Sequence, residues 1–177
     1  MDKALRFART LERLVSTVGR IFAWLSLPLA AVIVFDVVTR RFFVLGSTKL
    51  QELEWHLHAA LFLMLLGYAY LRDAHVRIDI LRERMSPRTS AWVEVIGCLL
   101  FLIPYSMLII YYSVNFWERS FALDEASAAT TGIPHRWIVK TAMPVGFVLL
   151  FLAGLSVLLD RVRYLLGDAG LPPEDRR

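Results

Sequence analysis

Four apolar segments divide this chain, Ile21 to Val38, Trp55 to Leu71, Ala91 to Val114 and Trp137 to Leu159, and they restrict its fold more than any other feature. A helix needs about 20 apolar residues to cross roughly 30 Å of hydrocarbon, and each segment is near that length. Trp55 to Leu71 is the shortest, although Tyr68 and Tyr70 suit headgroup depth and flanking charges can snorkel. In a 177-residue chain that is 57% hydrophobic, a soluble bundle has too little interior to hide four helices without a polar face. The sequence therefore predicts an all-α membrane protein with four transmembrane helices. Its single cysteine, Cys98, lies inside the third segment, which excludes a disulfide framework and reads as a buried thiol.

Charge sets the expected orientation, because loops rich in Lys and Arg stay on the cytoplasmic side. The N-terminal arm, the middle loop and the tail together hold 14 such residues, against six in the first and third loops. Both termini are expected to be cytoplasmic, and the net charge of +4 is then a topology signal that says little about nucleic acid. The first apolar run continues past Ala30 and Ala31 without a clean cleavage site, so it reads as an anchor and not as a signal peptide.

In the arm, Ala4, Phe7, Ala8, Leu11, Leu14, Val15 and Val18 fall on one helical face and Arg6, Arg9, Arg13 and Arg20 on the other. That pattern predicts an N-terminal amphipathic interfacial helix with its arginines toward anionic lipid; the plainer reading continues the first membrane helix by a solvated turn or two. The expected organisation is one four-helix transmembrane domain over 1–165, with the arm at 1–20, membrane helices at about 21–40, 50–72, 87–115 and 135–160, and a flexible tail at 166–177. Thr48 and Gln51 have capping-box spacing ahead of the second helix, Ser86 and Pro87 open the third, and Gly132 to His135 open the fourth. Pro104 and Pro144 should kink their helices locally. Trp24 and Trp92 mark one membrane interface, and Trp55, Trp117 and Trp137 the other.

Residues that could carry chemistry are few. Asp36 lies inside the first apolar stretch with Arg40 four residues on, a spacing that favours an ion pair over ion transport. His56 and His135 lie near one edge, where two axial ligands from different helices suit a b-type haem, although histidines at helix ends are more often interfacial residues. His56 and His58 point to different faces and cannot jointly hold a metal. No nucleophilic elbow, phosphate-binding glycine loop or paired cysteine motif is present, so no enzyme is expected, and neither a cofactor nor a metal. Four helices without an inverted repeat also leave little room for a transporter acting alone.

The order of several short motifs is more specific. Asp36, Val37, Val38, Arg40 and Phe42 end the first helix; Gln51, Glu52 and Leu53 begin the second; Gly67, Ala69, Arg72, His75, Val76, Arg77, Ile78 and Asp79 close it; and Gly132, Ile133, Pro134, Arg136, Trp137, Lys140, Pro144 and Gly146 begin the fourth. In that order the chain resembles the small membrane subunit of tripartite ATP-independent periplasmic (TRAP) transporters. The resemblance implies an accessory permease subunit in the bacterial cytoplasmic (inner) membrane. It would brace a large multi-helix TRAP permease subunit that takes up a carboxylate-bearing solute on a sodium gradient with a periplasmic solute-binding protein. Asp36, Arg40, Glu52, Gly67, Arg72, His75, Arg77, Asp79, Arg136 and Lys140 then become structural or partner-interface candidates. The competing reading is a haem-binding membrane anchor of a redox complex.

Overall fold

The computed structural model describes residues 3–43, 46–74 and 85–167. Among them every regular element is helical: α1 (Lys3–Ala23), α2 (Ser26–Phe42), α3 (Thr48–Leu71), α4 (Pro87–Gly97), a π-helical turn (Cys98–Leu102), α5 (Ile103–Ala122), α6 (Trp137–Lys140) and α7 (Ala142–Leu165). His75, Arg77, Asp79 and the expected tail beyond Gly167 lie outside the described residues.

Prolines account for the breaks. Pro28 cannot donate to the Trp24 carbonyl, and the chain turns there through a Leu27 N–H bond to Trp24 O at 3.2 Å, which separates α1 from α2. The break falls a few residues beyond the arm boundary expected near residue 20. Pro104 follows the π turn, whose Ile103 N–H reaches back to Cys98 O. Pro144 lies in the first turn of α7, and the missing bond to Lys140 O coincides with the interruption at Thr141. Ser86 caps α4, accepting from Thr89 N at 3.2 Å, with Pro87 at its first position. The cap of α3 is Ser47, one residue ahead of the expected Thr48.

Three stretches, Leu5–Phe42, Pro87–Ala122 and Trp137–Leu165, are long and apolar enough to cross a membrane. α3 falls short of that standard because Lys49, Glu52, Glu54, His56 and His58 dilute its first half. Burial explains why the apolar stretches need a bilayer: only 11% of the apolar window in Leu5–Phe42 and 17% of that in Pro87–Ala122 is covered by protein. α2 buries Leu29 and Asp36 while exposing Ile33, Val34, Phe35, Val37 and Val38. A continuous apolar surface of this kind is far larger than a soluble monomer tolerates.

The core is the seam where α7 packs on α3, α5 and α1. α3 and α7 approach at two glycines. A Cβ on Gly67 would lie 2.6 Å from the Leu149 carbonyl oxygen, and one on Gly146 would meet the Leu63 carbonyl more closely still. Backbone-to-backbone approach at small residues is the usual way membrane helices gain packing, since lipid offers no hydrophobic drive between them. Val15, Met64, Leu149 and Ala153 fill the adjoining layer. α1 docks on the same seam: Ala8, Leu11 and Val15 are buried, and Ser156 Oγ donates to Ala8 O at 3.0 Å. Phe7 and Leu14, grouped with the apolar face in sequence, remain about half exposed.

Candidate functional site

Five of the sequence candidates, Asp36, Arg40, Glu52, Arg136 and Lys140, meet where α2 ends and α3 and α6 begin. Asp36 is 2% exposed and pairs through Oδ2 with Arg40 one turn on. The Arg40 guanidinium also reaches the Gln51 side-chain oxygen, at 2.8 Å with the amide oriented to accept, which ties α2 to α3. Gln51 therefore bonds across helices and does not return to its own cap.

Glu52 anchors the loop between α5 and α6. Its buried carboxylate accepts from Ser127 Oγ and from Ile133 N, the latter at 2.6 Å. The loop closes on itself through Ser127 N to Ile133 O at 3.1 Å and Arg136 N to Glu125 O at 2.8 Å. Gly132 is required there, since a Cβ would lie 2.8 Å from Glu52 Oε2 and closer still to Ser127. The acidic start of α3 and the Gly132-Ile133-Pro134 motif, distant in the chain, are thus parts of one device.

The base of the loop is strained and clamped. Asp124 (φ 42°) and His135 (φ 58°) are both left-handed, a costly conformation for residues with a Cβ, and their side chains join at 2.6 Å. Lys140 pairs with Glu125 and sits 3.9 Å from the centre of the Phe116 ring. That ammonium holds the Glu125 carboxyl below its ordinary range. The loop is thus a pinned structure.

The other candidates have different settings. Gly67 belongs to the α3/α7 crossing, and Arg72 stands beyond the far end of α3, its guanidinium 5.3 Å from the Tyr68 ring centre. Sequence reading missed a polar cluster near that end. Arg161 is 1% exposed, with its guanidinium 3.9 Å from Glu94 Oε2, and Tyr70 OH donates to Glu94 Oε1 at 3.1 Å. By sequence position Arg161 belongs with the basic residues of the tail, but it follows Gly154 and Val157 at helical spacing on the buried face of α7, a signal present in the sequence.

His56 and His135 line one apolar groove of about 490 Å³ between α3 and the start of α7, with Phe22, Leu57, Ile133 and Val139 among its walls. His56 Nδ1 donates to Glu52 O at 2.5 Å, and His135 Nδ1 is engaged by Asp124. Among the described residues no cluster of three or more His, Cys, Asp or Glu side chains has metal-site geometry.

The family model described as tripartite ATP-independent periplasmic transporters, DctQ component, matches residues 29–164, from the first turn of α2 through nearly all of α7. No curated protein matches the chain.

Proposed function

The chain belongs to the DctQ component family of the tripartite ATP-independent periplasmic transporters and is a small permease subunit of that system; on this premise we propose that it is the static brace of a larger permease. The family is a transporter component and not an enzyme class, and it lends no support to a haem anchor. In the proposed assembly a large membrane subunit holds the substrate and sodium sites, and a periplasmic solute-binding protein delivers a carboxylate-bearing solute.

One observation carries the bracing role: three carboxylates where α2 ends and α3 and α6 begin, those of Asp36, Glu52 and Glu125, are bonded within the subunit. Arg40 with Gln51, Glu52 with the loop, and Glu125 with Lys140 lock helix ends together, while α3 and α7 touch backbone to backbone. A scaffold needs such closed pairs, and the broad apolar faces of α2, α4 and α5 remain for lipid and the large subunit. α3 is about 36 Å long at 1.5 Å per residue, enough to cross the bilayer when shielded by its neighbours, and we read it as the fourth span with both termini cytoplasmic. The 1–20 arm then lies at the cytoplasmic surface and the pinned loop faces the periplasm, where the solute-binding protein arrives.

Co-expression with the large subunit tests this reading. The two are expected to co-purify, to drive sodium-dependent solute uptake in proteoliposomes only together, and to separate on Arg77→Ala or Asp79→Ala. A subunit that purifies alone and leaves uptake by the large subunit unchanged would overturn it.

A further inference from the structure

Along α1 and α2, one strip changes character at three- and four-residue spacing. It runs Arg9, Arg13, Ser16 and Arg20, then Trp24, then Leu27, Ala31, Val34 and Val38. The first four, with Glu12, wall a cleft of about 380 Å³ that Arg72 closes from the end of α3. Trp24 and the following residues are outward-facing, with Trp24 71%, Leu27 60% and Val34 61% exposed. From this juxtaposition we infer that the strip binds an anionic phospholipid, its phosphate among Arg9, Arg13, Arg20 and Arg72 and its acyl chains along Leu27, Val34 and Val38.

The cleft is assembled by tertiary structure and is more than a basic helix face. Gly19 makes it possible, since a Cβ there would overlap Tyr68, so α1 can lie directly on the last turns of α3. The Tyr68 ring in turn carries Arg72 over its face, and Arg20 Nε donates to Ser16 O at 3.2 Å, which orients a second guanidinium. Four cations converge against Glu12, with Asp160 of α7 in electrostatic reach of Glu12 and Arg9. A bound phosphodiester relieves that repulsion, and the guanidinium fork suits phosphate oxygens. The sequence of basic cleft, tryptophan and apolar track matches the order of headgroup, interface and hydrocarbon in a lipid leaflet. A free phosphate would use only the first of these three parts.

Native mass spectrometry of the subunit in complex with its large partner, loaded with phosphatidylglycerol or with phosphatidylcholine of identical chains, tests the site. Wild type is expected to retain phosphatidylglycerol preferentially. Arg13→Gln combined with Arg72→Gln should weaken that retention roughly thirtyfold, from about fivefold per arginine near a membrane surface. Arg41→Gln, a change at an exposed arginine beyond the strip, should leave it unaltered. Equal retention of the two lipids, an equal loss in Arg41→Gln, or displacement of the lipid by millimolar inorganic phosphate would each overturn the assignment. Should the double variant melt lower, Arg13→Gln alone decides: its side chain is exposed, and an unchanged lipid preference would refute the site.

Discussion

The Glu52 carboxylate accepts the backbone N–H of Ile133 at 2.6 Å, joining the first turns of α3 to a loop that lies 81 positions away in the chain. Ser127 Oγ supplies a second bond to the same carboxylate. Replacing Glu52 by Ala strands both donors, which should cost about 1–3 kcal/mol. Glu52→Gln keeps an acceptor oxygen and should cost less. Thermal unfolding in detergent measures both, and limited proteolysis should show cleavage within 123–136 only for the alanine variant.

Helix contact at glycine gives a second expectation with a built-in control. Gly67→Ala puts a Cβ against the Leu149 backbone, which cannot rotate away, so α3 and α7 must separate at a cost of at least about 1–3 kcal/mol. A Cβ at Gly97 meets nothing within 4 Å, and Gly97→Ala should raise stability by roughly 0.5–1 kcal/mol through helix propensity. Opposite shifts in melting temperature are the expected result; a common direction would contradict the packing.

Asp36 is buried and keeps one oxygen, Oδ1, without a hydrogen-bond partner among the described residues. Arg40→Ala therefore strands a carboxylate, whereas Asp36→Asn with Arg40→Ala removes the charge as well. The single variant should be less stable than the double by about 1–3 kcal/mol. A double-mutant cycle on detergent-solubilised protein reads the difference, and additive effects would show that the pair is not coupled.

The Glu125 carboxyl is held below the ordinary glutamate value of 4.5 by its bond to Lys140. A depressed pKa contributes stability that is fully present above the unfolded value and is lost as pH falls through the folded one. Wild type should exceed Glu125→Gln in melting temperature at pH 6, and the two curves should converge on acidification below about pH 4. Curves that stay parallel down to pH 3 would remove the pair from the stability of the loop.

Local physics made much of this protein readable before folding. The apolar runs required a bilayer, Pro104 and Pro144 distorted their helices locally near the position where each removes a donor, and Ser86 with Pro87 opened α4. Each of these follows from residues within one or two turns. Asp36 with Arg40 was legible for the same reason, being four positions apart on one helix. The family motifs were visible as an ordered set of residues without their structural reason.

What tertiary structure decided is the meaning of groups distant in sequence. Periodicity assigned seven apolar residues to one face of α1, but of these docking on α3 and α7 buried Ala8, Leu11 and Val15 and left Phe7 and Leu14 exposed. Apolar spacing along a helix defines a single direction, while a helix packed against two others has several distinct sides. Arg161 read as a tail charge until Glu94 and the rest of the bundle closed around it. Glu52 and Gly132 were separate marks in the sequence, and only the folded chain brings the carboxylate to a loop position where a side chain would block it. Sequence by itself determined the solvent of this protein, its helices and its family, because hydropathy and helix breaking act over short spans. Which charges close on one another and which converge on an open cleft depended on contacts between residues far apart in the chain, which no local pattern encodes.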